Sequence, residues 1–124
     1  MKLQPDQFDV QSINAHGPGW VKIDGETTHE SLVISAGGQR FEWHCTSFDA
    51  LREEHFAKLA ELDAEVVIFG SGQRLRFPPV AWLKPLIEKR IGLETMDTAA
   101  ACRTYNILAG EGRRVVAALL LEAA

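Results

Sequence analysis

Three short strand-like runs, separated by helical patterns, constrain this chain more than any other feature. They are "EVVIFG" at 65–70, "LETM" at 93–96 and "RRVVAALLL" at 113–121. The first ends on glycine and is apolar almost throughout, as strands buried on both faces are. Between the first two lies "SGQRLRFPP", a loop, and then a helical pattern. Pro79 suits the first turn of that helix, and Pro85 must kink it or mark its true start. Between the last two lies a helix over 98–109, capped by Asp97 and stopped by Gly110 or Gly112. Strand–helix–strand alternation of this kind predicts parallel strands joined by right-handed crossovers.

The first third has a different period. Short alternating or β-branched runs near 10–16, 19–24, 29–35 and 39–44 are divided by Gly-Pro-Gly, Asp-Gly and Gly-Gly. Those turn signals predict an antiparallel meander. A helix follows, capped by Ser47 or Asp49 and running to about Leu62, with Leu51, His55, Leu59 and Leu62 on one face. The expected architecture is α/β: a meander, then a βαβαβ parallel unit, in one mixed sheet with helices packed on it. Its 124 residues suit a single domain spanning 1–124.

Charge and cysteine content exclude several classes. With 13 basic against 17 acidic side chains, the net charge is −4, which argues against a general nucleic-acid binder. Val115–Leu121 is the longest apolar run and falls well short of the ~20 residues that span a bilayer. The N-terminus has no apolar signal region and, with Asp6 and Asp9 and no Arg, no transit-peptide character. Cys45 and Cys102 lack CxxC spacing, which predicts two reduced thiols in a cytoplasmic protein.

In open α/β sheets ligands gather beyond the carboxyl ends of the strands. Two segments reach that edge: Gly70, Ser71 and Gly72 after one strand, and Asp97 with Thr98 before the next helix. Glycine amides and a helix N-terminus can hold an anion, with Arg74, Arg76 or Arg103 as counter-charge. The spacing matches no dinucleotide or P-loop fingerprint. Asp97 would also compete with an anion as the cap. The plainer reading makes the glycines a tight turn and Asp97 only a cap.

On a helical wheel, Ala100, Ala101, Thr104, Ile107 and Leu108 are expected to face the sheet. Ala99, Cys102, Asn106 and Ala109 lie opposite, with Arg103 on the border and Tyr105 on the other flank. That back face is small and nearly uncharged, which suits a cleft wall, a partner surface, or packing by the chain's own loops. Cys102 has no nearby His and sits a full turn past the helix start, so it reads as an inert buried thiol rather than a nucleophile. Four scattered His give no metal spacing, and His55 reads as a core histidine within the Leu stripe. Glu53–Glu54 and Glu61–Asp63 read as a solvated helix face. Trp82 is either a partly exposed anchor or a cover for the sheet edge. No cofactor or metal site is expected.

"VVIFGSGQRLRFPP", "GLETMDTAAACRTYNIL" and "EGRRVVAALL" together resemble a family of small α/β proteins of unknown biochemical function from bacteria and archaea. Its eukaryotic members include a mitochondrial respiratory complex I assembly factor. The most specific element is the stretch from Gly92 to Asn106, containing "MDT" and "CRTYN"; the second is "GSG" followed by Phe77-Pro78. The resemblance implies a single α/β domain with a mixed sheet and a role through protein contacts, with respiratory complex subunits as partners. It carries over no catalytic residue.

Two readings follow. The first is a non-catalytic interaction or assembly module, since no credible catalytic set is present. The alternative is a small-molecule or anion-binding protein, enzymes included, built on the Gly70–Gly72 turn and the Asp97 helix start. Residues that could line either surface are Gly70, Ser71, Gly72, Arg76, Asp97, Thr98, Cys102, Arg103 and Asn106. Redox sensing through Cys45 and Cys102 is a weaker third. A weak homodimer through an exposed strand edge is also expected.

Overall fold

A computed structural model describes residues 10–122 of the chain. The meander opens with β1 (Ile13–Gly17), β2 (Trp20–Ile23) and β3 (Glu26–Thr28), paired antiparallel in that order. Asp24 and Gly25 make the second turn with φ of 51° and 82°. Positive φ at both central residues is what a type I′ hairpin needs. Val21 and Ile23 are buried while Lys22 between them is exposed, so this sheet has one wet face.

Five further strands form a second sheet: β4 (Leu32–Ser35), β5 (Arg40–Glu42), β6 (Val66–Gly70), β7 (Gly92–Met96) and β8 (Val115–Leu119). Their order is β5-β4-β8-β6-β7. β8, β6 and β7 run parallel, and β4 is antiparallel to both β5 and β8. The expected α/β class, with its meander and parallel βαβαβ unit, is therefore present. One feature differs: the meander does not join a single sheet. The strand expected over 29–35 forms only from Leu32, and a separate strand ends ahead of it at Thr28, where the Glu30 amide donates to Thr28 Oγ1 at 3.1 Å. The chain turns there, so β1–β3 pair only with one another and β4 starts the larger sheet.

Three helices complete the fold: α1 (Glu53–Leu59), α2 (Lys84–Glu88) and α3 (Thr98–Gly110). The first is shorter than expected. A 3-10 turn at Phe48–Ala50 precedes it, and neither Ser47 nor Asp49 caps it. Instead the Arg52 amide donates to His55 Nδ1 at 3.0 Å, and His55 Nε2 lies 3.1 Å from His44 O. His55 is thus a half-buried capping group rather than a core histidine. Pro85 sits in the first turn of α2 and marks its true start, after a 3-10 turn at Val80–Leu83 led by Pro79.

The larger sheet is covered on both sides, and alternate residues serve the two cores. Val67, Phe69, Val116 and Ala118 meet Trp43, Leu51, Phe56 and Leu86 on one side. Ile68, Ala117 and Leu119 meet Ile13, Val21, Ala101 and Tyr105 on the other. So α1 and α2 cover one face, while α3 and the meander cover the opposite one. Trp82 lies 6.0 Å from the Phe56 ring and packs, half-buried, against the first core.

Candidate functional site

The crossover after β6 runs over the α2 face and the crossover after β7 over the α3 face. Their loops leave the sheet in opposite directions, and a crevice at such a point is where α/β folds hold ligands. Here the crevice is stitched shut. The Ser71 amide donates to Met96 O at 2.9 Å, and the Ser71 hydroxyl donates to Arg74 O at 2.8 Å. The Gly72 amide donates to Thr98 Oγ1 at 2.9 Å, and the Thr98 amide returns to Gly72 O at 2.8 Å. The Thr98 hydroxyl in turn donates to Leu120 O at 2.9 Å, tying in the segment after β8.

Glycine is required twice in this seam. A Cβ on Gly70 would sit 3.0 Å from the Thr98 Cα and 3.1 Å from the Ala101 Cβ, so its absence lets α3 lie close on β6. Gly72 has φ of 103°, and a Cβ there would collide with the Arg76 and Glu122 side chains.

Several amides an anion would use are already engaged. Asp97 caps α3 by accepting from the Ala100 amide at 2.8 Å, and Gly72 O takes the Thr98 amide. Arg76 Nη2 donates to Ser71 O at 2.8 Å and pairs with Glu122 Oε1 at 2.5 Å. Its guanidinium carbon lies 4.8 Å from the centre of the Phe48 ring, and Glu122 Oε2 accepts from the Phe48 amide. Arg76 is therefore a clamp between the loop after β6 and the segment after β8, already neutralised by a carboxylate.

A cleft of about 210 Å³ remains between the seam and the Gly17–Gly19 turn of the meander, lined in part by His16, Gly72, Asp97, Thr98 and Glu122. It is smaller than the ~300 Å³ at which ligand pockets begin, and its ionised groups are acidic. Of the expected site residues, Gly72, Asp97 and Thr98 line it, Gly70 and Ser71 are buried beneath it, and Arg76 clamps its rim.

The remaining three are elsewhere. The wheel of α3 is rotated from the expected one: Thr98, Ala101, Cys102, Tyr105 and Ala109 are buried, and Ile107 is 61% exposed. Tyr105 reaches through to donate to Gln11 O at 2.9 Å, an anchor that the even apolarity of this helix conceals. Cys102 faces the sheet, and burial raises its pKa from 9.0 to about 12 against a smaller lowering by Arg103. It is an unreactive core thiol. Cys45 lies in the other core, across the sheet, so the two cannot pair. Asn106 accepts from the Ile13 amide at 2.8 Å and donates to Ile13 O at 2.9 Å, pinning β1 to α3. Arg103 alone points outward. Glu122 was not anticipated; a lone acid after an apolar strand carries no sequence signal for a clamp. Among the described residues no metal-ligating cluster occurs, and no helix is long and apolar enough to cross a membrane.

These features define a class: a mixed α/β fold whose sheet-edge crevice is closed by its own hydrogen bonds. The family described as protein of unknown function (DUF498/DUF598) matches residues 13–120, and the chain belongs to it. An uncharacterised protein of Rhodobacter capsulatus is 36% identical over 119 residues, covering 94% of this chain and 90% of that one. The bovine NADH dehydrogenase [ubiquinone] 1 alpha subcomplex assembly factor 3 is 33% identical over 81 residues, covering 64% of this chain. That match takes in 44% of the bovine protein's own length. The crystal structure of a Bordetella parapertussis protein superposes with a TM-score of 0.84 at 32% identity, covering 90% of this chain and 96% of that one.

Proposed function

We propose that this chain works by binding another protein, as an assembly-type module, rather than by catalysis. One observation carries the reading. Most polar groups at the sheet edge are taken up in internal hydrogen bonds, the buried Arg76 Nε excepted, while α3 turns a little-charged stripe to solvent. That stripe is Ala99, Arg103, Ile107 and Gly110, spaced at i, i+4, i+8 and i+11. An exposed isoleucine beside a lone arginine, flanked by small residues, is a surface another protein can approach closely. Similarity to the bovine assembly factor supports the same reading and makes respiratory complex subunits the first partners to test. Two free, buried thiols fit a reducing compartment such as the cytoplasm.

Affinity capture with purified respiratory subunits tests this, using wild type beside Arg103→Glu and Ile107→Glu. Both side chains are exposed, so the fold should survive in each variant. Capture by wild type and its loss in both variants is the expected result. Equal capture by all three would refute the assignment of this surface.

A further inference from the structure

The opposite face of the larger sheet carries a second surface of different chemistry. Residues 73–90 hold five basic side chains and one acidic one. With Arg76 neutralised by Glu122, the stretch keeps +3 in a chain whose total is −4, which leaves −7 for the rest. Four large apolar side chains in the same stretch are exposed: Leu75 at 52%, Phe77 at 67%, Val80 at 76% and Ile87 at 62%. Val80, Lys84 and Ile87 are each exposed along the 3-10 turn and α2. Leu86, on the inward side, is buried in the core. Arg74, Lys89 and Arg90 are exposed along the same stretch.

We propose that this surface docks reversibly on an anionic lipid bilayer, with Phe77, Val80 and Ile87 entering the headgroup boundary and Arg74 and Lys84 meeting lipid phosphates. Apolar side chains backed by a basic rim are what interfacial binding requires. The exposed apolar groups are aliphatic or phenylalanine, which make no directional hydrogen bond and suit hydrocarbon better than a patterned polar partner. The −7 carried elsewhere is repelled by an anionic surface, so the field turns this face toward the bilayer. The α3 stripe lies across the sheet and stays free, so the two surfaces succeed or fail independently.

Sedimentation with vesicles of phosphatidylcholine, with and without phosphatidylglycerol, tests the proposal. Wild type should pellet with the phosphatidylglycerol vesicles, and less so as salt is raised. The Arg74→Gln/Lys84→Gln variant should lose roughly 25-fold in partitioning, about fivefold per charge removed. Phe77→Ser/Val80→Ser should lose roughly tenfold or more. All four positions are exposed, and matching melting temperatures will show that each variant is folded. Failure of wild type to bind phosphatidylglycerol vesicles at low salt overturns the proposal, as does equal binding by both variants. If wild type ignores vesicles but binds immobilised polyglutamate, the surface serves an acidic protein and the lipid assignment is wrong.

Discussion

Replacing Thr98 with valine probes the seam at its most loaded point. Valine keeps the β-branched shape and changes the volume little, so packing against Gly70 is preserved. What disappears is a hydroxyl that accepts from the Gly72 amide and donates to Leu120 O, both at 2.9 Å and both buried. Each orphaned group costs about 1–3 kcal/mol, so Thr98→Val should destabilise by about 2–5 kcal/mol after some relaxation. Thr98→Ser keeps both hydrogen bonds and loses one methyl, about 1 kcal/mol. Urea unfolding should therefore rank wild type above serine and serine above valine, with an unchanged m-value. For a domain of this size, a loss of about 3 kcal/mol lowers the melting temperature by roughly 10 °C. Amide exchange at Gly72 should accelerate in the valine variant. If valine proves as stable as serine, the seam is not what holds the two crossovers together.

Other perturbations address separate parts of the argument. Gly70→Ala should cost about 1–3 kcal/mol, because the new methyl meets the backbone of Thr98; a neutral result would show that α3 can slide away. Asn106→Ala removes two hydrogen bonds to Ile13 and should cost about 1–2 kcal/mol, with faster exchange of the Ile13 amide. Unchanged exchange there would mean that packing alone holds β1. Burial raises the Cys45 and Cys102 pKa values from 9.0 to about 11 and about 12. The unfolded chain then ionises first and binds fewer protons than the folded one, so stability is full below pH 9 and falls as pH rises above it. The slope is up to about 1.4 kcal/mol per pH unit for each thiol. Urea midpoints measured from pH 8 to 11 will check the direction, and a flat profile would contradict the burial of both thiols. In the folded chain at pH 8, thiol reagents should label neither cysteine.

The amino-acid sequence by itself determined the elements whose signals are local. The Asp-Gly turn, the glycine-ended apolar run at 65–70 and the Asp97 cap each encode their conformation within a few residues. Alternation of strands and helices then implied the parallel unit. Family motifs from Gly92 to Asn106 were also legible, although their purpose was not. Tertiary structure decided what those residues face. The rotation of α3 is hidden in the sequence because alanines, threonines and a cysteine give almost no contrast around the wheel, so the wheel does not say which side meets the sheet. Packing chose the side where Gly70 allows close approach and where Tyr105 reaches Gln11 O. The division into two sheets turned on a small break after Thr28. The closing of the crevice turned on contacts between residues 26 positions apart, Gly72 and Thr98, and 46 apart, Arg76 and Glu122. Hydrogen bonds at such separations leave no periodic trace in the chain, because the partners meet only when the strands between them have been laid side by side.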